Sequence, residues 1–557
     1  MSLKDIQQLA IDLLAKLPFD PLKDVLKTLL NTVEEQTSEN SQLKDENQKL
    51  RDEINRLKGE KGKPEIKQVA NAPEGKTSPK PHPKGVKSAK REEITITRSQ
   101  RIPVDRAALP EDAQNKGTRS VVIQDISIQK DNIEFILERF YSPSLKRSIE
   151  SELPEAYCGH EFGPNLRAFV ITLHYQCRIT QKVLHTLLRG MGILISEGQI
   201  GEILLDKGFV AFEAEKESAR RAAIEKHGYQ QIDDTGARIN GNNAFTIVTC
   251  NDDFCSFMTS WSKGRLSALR GIAGGVELKY VINPTAIEYM FDKISNRRLI
   301  RNLAKLASDR IYSQAEFEQE ILRSRALLDA KEIWKKYITE GCAIGAYHAG
   351  LLGVTSAALV CDDAPQFKDI LDYLGLCWIH EGRHYKKLVP QNPLFQKCLD
   401  EFLDSFWKFY NQLKEYRKNP NTIRRKELEN EFDRLFVPDT DYYALNSQIK
   451  KARKKRESLL LVLQRPEIPL HNNGAELDIR EKVIQRKIRN CFRSWRGARA
   501  SDTFLSLLAI CRKQKISFWD YIRDRILQIH AIVPLAEIIG SGRSRPIFIS
   551  HAATVAA

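Results

Sequence analysis

The sequence lacks several features that mark secreted, membrane-spanning or zinc-stapled proteins. None of its 10 cysteines belongs to a C-x-x-C pair, and their scatter through apparently structured segments is typical of free, mostly buried thiols in a reducing compartment. The longest apolar runs fall well short of the roughly 20 residues that a membrane-spanning helix needs. The amphipathic pattern after Asp5 differs from the apolar core of a signal peptide. These absences favour a cytoplasmic protein with no membrane partner.

Positive charge is the strongest compositional feature. The chain has 87 lysines and arginines against 72 acidic residues, which gives a formal charge of +15 at pH 7. This excess favours a polyanionic partner, with nucleic acid first, and therefore association with the nucleoid. A merely basic protein without such a partner would have the same composition. The length of 557 residues is enough for about three or four domains with their own cores.

The N-terminal region, residues 1–58, is predicted to be all-α. Two short helical patterns break at Pro18 and Pro21, and later apolar and amide residues fall into heptads. Asn40 and Asn47 occupy a positions of these heptads, which favours a defined register and a dimer, so the pattern predicts a short coiled coil. The alternative is a single charged helix that packs on its own domain.

Two further segments precede the predicted sheet. Residues 59–117 are rich in proline and lysine and poor in apolar residues, so they are predicted to be a basic disordered linker, either solvated or lying on phosphates. Residues 118–225 are predicted to be a helical DNA-binding region that opens with a helix at Ile133–Phe140. Within residues 164–206, two helices flank a glycine-bearing turn and Ser196, which is typical of a helix-turn-helix. Because such helical hairpins are common, this pattern alone does not establish DNA binding.

A mixed α/β core is predicted from Tyr229 onward. Strands at 231–239 and 244–250 flank an Asn-Gly turn, which is a strong hairpin signal. A third strand is expected at 254–261. A further strand at 355–361 follows a charged helical excursion, so the pattern indicates an antiparallel meander joined to a later strand.

Two of these strands carry paired aspartates, Asp233-Asp234 within the first and Asp362-Asp363 at the end of the later one. An acid in a strand of core-like residues needs a cation, and Mg²⁺ prefers oxygen ligands from one or two carboxylates together with substrate phosphates. Neighbouring strands of this kind could hold two metals for an in-line phosphoryl transfer. Either pair taken alone could equally be a turn or cap aspartate at a strand end.

A third acid, Glu476, lies in a basic segment, His471–Arg499, that is predicted to be helical. Asn472 and Asn473 supply the expected N-cap, and the following apolar residues recur at helical spacing. Arg480 lies four residues after Glu476, so the two share a side of the helix. Taken alone, this segment would be a surface helix with ordinary i to i+4 pairs.

Four runs together carry a resemblance to a known family: Ile232-Asp-Asp-Thr-Gly-Ala-Arg, Leu359-Val-Cys-Asp-Asp-Ala, Cys377-Trp-Ile-His, and Asn472-Asn-Gly-Ala-Glu-Leu-Asp-Ile-Arg followed by Gln485-Arg-Lys. In this order, over about Gly163–Ile526, they resemble DDE transposases of the insertion sequence 66 group. One position differs from the pattern, because Leu477 stands where the family usually has arginine. The resemblance implies a ribonuclease-H-like α/β catalytic domain at 226–500, a mixed sheet with helical insertions at about 275–345 and 393–463. Residues 501–557 would then form a C-terminal helical segment and tail.

The resemblance also implies a catalytic site. By motif position, Asp233, Asp362 and Glu476 would be the catalytic and metal-binding triad, with Asp363 as the fallback for the second ligand. The implied cofactor is Mg²⁺ or Mn²⁺. The implied reaction is cleavage at transposon ends and joining of the liberated 3′-hydroxyl to target DNA. Its partners would be double-stranded DNA, further copies of this chain in a dimer or higher oligomer, and possible accessory proteins of the same element.

Side chains near the third acid are predicted to contact the DNA backbone, since phosphate contacts position DNA without reading its sequence. The candidates are His380, Arg383, Arg480, Lys487, Arg489, Arg493 and Arg496. A solvated basic face is the alternative for those on the helix. Cys377, His380 and His384 could bind zinc from one helical face, although no fourth ligand is evident. Trp378 is expected in the core, and Trp495 either stacks on an unpaired base or packs in the core.

Two other functions fit the same motifs. A structure-specific nuclease on this fold would cut DNA without joining strands. A catalytically inactive DNA-binding protein derived from a transposase would do neither. A strand-transfer assay separates all three functions, because joining, cutting alone and binding alone are distinct outcomes.

Overall fold

The computed structural model describes residues 20–57, 96–105, 109–110, 113–114, 117–126, 128–205, 209–307, 310–325 and 327–541. The chain divides into two compact units, one of Met1–Thr37 and Ile133–Ala557 and the other of Ser38–Asn132. Most of the predicted linker, from residue 58 to 95, lies outside the described residues. None of the described helices is long and apolar enough to cross a membrane.

The first described helix, α1 (Asp20–Leu57), is continuous. Pro21 lies in its first turn, where a missing N–H breaks no helical hydrogen bond, so α1 begins beside the predicted break instead of running through it. The predicted break at Pro18 lies outside the described residues. Leu43 and Leu50, which belong to the predicted heptads, are 53% and 57% exposed. The coiled-coil pairing with a second copy stays a prediction.

Among its described residues, the segment before the sheet contains a hairpin and four α-helices. These elements are β1 (Arg139–Ser142), β2 (Arg147–Glu150), α2 (Pro164–Tyr175), α3 (Gln181–Gly190), α4 (Glu197–Leu204) and α5 (Phe209–His227). The predicted helix at Ile133–Phe140 is wrong, because its apolar side chains find no core and Ile136 is 86% exposed. The helical pattern of residues 164–206 is confirmed, and the Ser196 hydroxyl caps α4 by accepting from the Gln199 amide. DNA reading by α4 stays a prediction.

The centre is a five-stranded mixed sheet in the order β5-β4-β3-β6-β7. Its strands are β3 (Tyr229–Ile239), β4 (Asn242–Cys250), β5 (Cys255–Ser260), β6 (Ala358–Cys361) and β7 (Tyr373–Leu376). The first three form an antiparallel meander, β6 runs parallel to β3, and β7 runs parallel to β6, so the predicted meander and later strand are confirmed. Asn240 and Gly241 have φ values of 47° and 80°, as a tight Asn-Gly hairpin turn requires.

Helices cover both sides of the sheet, and alternation along β3 assigns residues to each side. Helix α6 (Arg265–Ile272) follows α5 (Phe209–His227) in the chain. One face of the sheet, called the α6 face, carries Ile232, which packs in one core with Leu269 of α6. The α16 face carries the alternate residues, and Val248 of β4 packs there with Ala475 of α16 (Asn473–Arg489).

The remaining helices occur in three groups. Between β5 and β6, after α6, lie α7 (Pro284–Lys293), α8 (Arg297–Ala304), α9 (Gln314–Phe317) and α10 (Glu332–His348). Between β7 and α16 lie α11 (Trp378–Lys386), α12 (Pro393–Lys418), α13 (Thr422–Leu435), α14 (Tyr443–Lys454) and α15 (Arg456–Leu459). The last three helices are α17 (Trp495–Lys513), α18 (Phe518–Ile526) and α19 (Leu535–Ser541). Trp378 is completely buried, so its predicted place in the core is confirmed.

Candidate active site

Two of the predicted acids lie level with each other on adjacent parallel strands. Tyr229 pairs with Ala358 and Gln231 with Val360, so each residue of β3 faces the residue 129 positions later. Asp362 is 129 positions after Asp233 and directly follows β6. Because neighbouring strands lie about 4.8 Å apart and level residues project to the same face, this register brings the two carboxylates together on the α16 face.

The ionisation of Asp233 reflects this setting. Burial, opposed by one backbone hydrogen bond and reinforced by the negative charges of Asp362, Asp234 and Glu476, raises its pKa from 3.8 to about 7. That bond comes from the Asp234 amide, which donates to Asp233 Oδ1 at 2.8 Å. Half-buried carboxylates that repel one another are a setting in which a cation lowers the free energy. The three predicted acids therefore act on one another electrostatically.

Glu476 reaches this place because the start of α16 is bonded to β3. Asn472 donates from Nδ2 to the Ile232 carbonyl at 2.8 Å, and the Gly474 amide donates to Gln231 Oε1 at 3.1 Å. A Cβ on Gly474 would lie 2.8 Å from Gln231 Nε2, so a larger residue would displace the Gln231 amide that bonds to the Gly474 N–H. Asn472 is the N-cap residue, but its side chain does not cap α16; the predicted side-chain cap is wrong, since that amide anchors the helix to the sheet instead.

The Glu476 carboxylate lies beside α11. Arg383 Nη2 donates to Glu476 Oε2 at 3.3 Å, and His380 Nδ1 lies 3.5 Å from Glu476 Oε1. Arg383 Nη1 also lies 2.9 Å from His380 Nε2, which must accept because a guanidinium only donates, so the neutral ring carries its hydrogen on Nδ1. Glu476 Oε1 is buried and has no hydrogen-bond partner among the described residues.

The second member of each aspartate pair has a different environment. Asp234 lies on the α6 face and accepts a hydrogen bond from Gln366 Nε2 at 2.7 Å. Asp363 has a φ of 77° and pairs with Lys368 Nζ at 2.7 Å and Lys455 Nζ at 2.9 Å. Burial alone would raise the pKa of Asp363, but the two lysines outweigh it and hold that pKa below its usual value. The carboxylate of Asp363 is thus neutralised by the protein itself.

The predicted DNA-contacting side chains separate into three groups. Arg480, Lys487 and Arg493 are exposed, and in the described part of the chain none of them forms an ion pair, so they are available to phosphates. Arg489 instead serves the fold: it donates to the His174 carbonyl, and its guanidinium lies 5.9 Å from the Tyr175 ring centroid. Arg496 is exposed and donates to the Leu205 carbonyl at 3.1 Å. His380 and Arg383 contact Glu476. Sequence reasoning had placed these two side chains near the third acid but had not predicted the contact.

The three zinc candidates do not form one group. His384 is exposed, whereas the ligand atoms of Cys377, His380 and Glu476 lie within 4.8 Å of one another. The Cys377 sulfur accepts a hydrogen bond from the Asn472 amide at 3.3 Å. Cys377 therefore helps to hold the start of α16, a role that sequence spacing did not reveal. The close approach of α11 to α16 was signalled only by the two motifs that the resemblance singled out.

Two comparisons with known proteins bear on this site. The model of the transposase IS66 family matches residues 344–500, a segment that contains Asp362, His380 and Glu476 but not Asp233. The uncharacterised protein y4jO of Sinorhizobium fredii is 32% identical over 314 residues, which are 56% of this chain and 96% of that protein.

Proposed function

The chain belongs to the transposase IS66 family, and we propose that it is a DNA transposase whose catalytic acids are Asp233, Asp362 and Glu476. One observation supports the assignment: the register of β3 and β6 pairs Gln231 with Val360, and continued by two residues it would bring Asp233 level with Asp362 on the α16 face. Glu476 completes the group from a helix whose first turn is bonded to β3. Asp363 is a poorer candidate for the second acid, because two lysines already hold its carboxylate.

The three acids fit a divalent cation. Their oxygens are the hard ligands that Mg²⁺ and Mn²⁺ take, the pKa of Asp233 is raised to about 7, and Glu476 Oε1 is buried without a partner among the described residues. When bound, the metal would supply Lewis-acid stabilisation of the charge that develops on the phosphoryl oxygens. Asp233 and Asp362 would hold it from the sheet, and Glu476 would hold it from α16.

Other side chains of the chain contribute positioning. Arg383 orients the Glu476 carboxylate through Oε2, and the exposed Arg480, Lys487 and Arg493 could hold the phosphates on either side of the cut. Proton transfer needs no dedicated basic residue in this scheme. We infer that the sheet is ribonuclease-H-like, supported by its antiparallel meander with parallel strands added beside β3.

The test compares acids on the two faces of the sheet. Asp233→Asn, Asp362→Asn and Glu476→Gln should each lower metal-dependent cleavage of the element's end DNA by about a thousandfold or more, since each removes a charged ligand at nearly constant shape. Asp234→Asn is the matched control, because it makes the same change one residue away on the α6 face and should stay within about threefold of the parent. Binding of end DNA should survive in all four variants.

The products separate this proposal from its alternatives. Strand transfer to a target duplex is the expected outcome for the parent chain. Cleavage without joining would indicate a nuclease, and binding without cleavage would indicate an inactive DNA-binding protein. Cleavage by the Asp233→Asn protein at the parental rate would show that the acids are wrongly assigned.

A further inference from the structure

A pair of tryptophans forms a stacking surface beside the catalytic sheet. The rings of Trp261 and Trp495 lie with centroids 5.3 Å apart and an interplanar angle of 20°. Trp261 is nevertheless 54% exposed. Because Trp495 covers one face of the Trp261 indole, the exposed area belongs to the opposite ring face and the edges. A large aromatic ring held flat by a second one, and left open to solvent, is a preformed platform for another planar group.

The platform lies on the same face of the sheet as the proposed acids. Thr259 of β5 points to this α16 face, because its hydroxyl donates to Asp502 of α17. Trp261 lies two residues later and, by alternation, projects to the same side. Trp495 begins α17 and packs with Ala237 and Ala244 of the sheet. Both indoles are therefore anchored to the face that carries Asp233.

The register also gives the distance between platform and acids. Phe245 of β4 pairs with Gly236 of β3 and with Ser260 of β5. Trp261 follows Ser260, so it lies level with Ala237 and two strands away from it. Four residues along the strand and two strands across correspond to roughly 17 Å between Asp233 and Trp261. That span is the rise of about five base pairs of duplex DNA. A nucleotide a few positions from the cut could therefore reach the platform.

Charge around the platform suits a nucleic acid. Arg493 precedes Trp495 by two residues, its side chain is exposed, and it forms no ion pair with another described residue. Lys263, two residues after Trp261, instead lies 5.9 Å from the centroid of the Phe245 ring, which points to the α6 face. Cations beside stacked aromatic rings are the combination that tracks a phosphate backbone while a base stacks. A base inside a duplex is already stacked on both faces, so the free face of Trp261 fits a base that has left the helix.

We propose that Trp261, supported by Trp495, stacks on a nucleobase extruded from the transposon-end DNA within about five nucleotides of the cut. This inference rests on the proposed function for the identity of the DNA. Arg493 holds a phosphate of the displaced nucleotide. Stacking would hold the distorted strand in one position beside the acids, because the extruded base could not return to the helix.

A double-mutant cycle between the ring and the base tests the proposal. End duplexes are prepared intact and with one abasic position at a time through the terminal six nucleotides of each strand, and binding is measured without divalent metal. Trp261→Ala should weaken binding of the intact duplex by about tenfold. At one or two adjacent positions the abasic duplex should bind the parent and the variant equally, because no base remains to stack.

Three controls give the cycle its specificity. Trp261→Phe keeps a ring and should retain most of the affinity. Arg493→Gln should weaken all duplexes alike and lower the salt dependence by about one charge. Tyr443→Ala removes another exposed aromatic ring, 51% exposed, far along the chain and should change nothing. Equal effects of Trp261→Ala on intact and abasic duplexes at every position would overturn the platform. Coupling without cleavage by the parent would instead overturn the proposed function and leave the platform standing.

Discussion

The two aspartate pairs place four identical side chains on neighbouring strands of one sheet, yet their surroundings differ. On the α6 face and in the turn after β6, the protein supplies the partners: Gln366 for Asp234 and two lysines for Asp363. On the α16 face, Asp233 and Asp362 meet each other and Glu476, and no cationic side chain bonds to either aspartate among the described residues. The difference separates acids that have partners within the protein from acids that lack a cationic partner among the described residues, as the proposed metal site requires.

This contrast has an energetic meaning. A carboxylate with a buried lysine partner contributes to stability only while both groups remain. A carboxylate that faces other carboxylates lowers the stability of the fold at neutral pH. Proteins keep such groups at sites where a bound ligand relieves the repulsion. The faces should therefore respond to mutation with opposite signs.

The largest effect on the free energy of unfolding is expected when a cation that neutralises Asp363 is removed. Lys455 bonds to Asp363 at 2.9 Å and to the buried Glu381 at 3.0 Å. Lys455→Met leaves two acids without their shared cation and should lower the free energy of unfolding by about 3 kcal/mol, measured by urea denaturation. Lys454→Met is the control, because Lys454 is exposed and its loss should cost almost nothing. Equal losses for the two variants would contradict the comparison.

An intermediate effect of opposite sign is expected at Asp233. Its folded-state pKa of about 7 lies above the unfolded value near 3.9, so ionisation destabilises the fold progressively as pH rises between these values. Asp233→Asn cannot ionise and should gain about 2 kcal/mol over the parent at pH 8, with little gain at pH 4. Unfolding free energies in the presence of a chelator measure this difference. A gain that does not change with pH would point to packing rather than charge.

The smallest effect is expected at Asp234. An asparagine there can still accept the hydrogen bond from Gln366, so Asp234→Asn should change the free energy of unfolding by no more than about 0.5 kcal/mol. Mn²⁺ should raise the melting temperature of this variant as it does that of the parent. The same ion should leave the melting temperature of Asp233→Asn nearly unchanged, and a matching response from the two variants would remove the distinction between the faces.

Local sequence patterns were sufficient for much of the fold. The Asn-Gly turn and the alternating strands around it predicted β3 and β4, and the capping pattern at Ser196 predicted the start of α4, because these signals act between residues close in the chain. The same reasoning failed at Ile133–Phe140, where helical spacing of apolar residues met no surface to cover. It also missed β7, since four residues that include a glycine carry no usable alternation.

The sequence by itself determined which residue types are present for the chemistry: paired aspartates on strands, and Glu476 in a helix full of cations. Only the tertiary structure decided which of these residues lie together and which bond to other parts of the protein. The register of β3 and β6 groups Asp233 with Asp362. Two lysines neutralise Asp363. Arg489 contacts His174 and Tyr175 within the fold. Glu476 likewise owes its position to Asn472 and Gly474, whose bonds reach across to β3. Apart from the nearby Lys368, these partners come from segments far apart in the chain, and no local pattern records the packing and desolvation that bring them together.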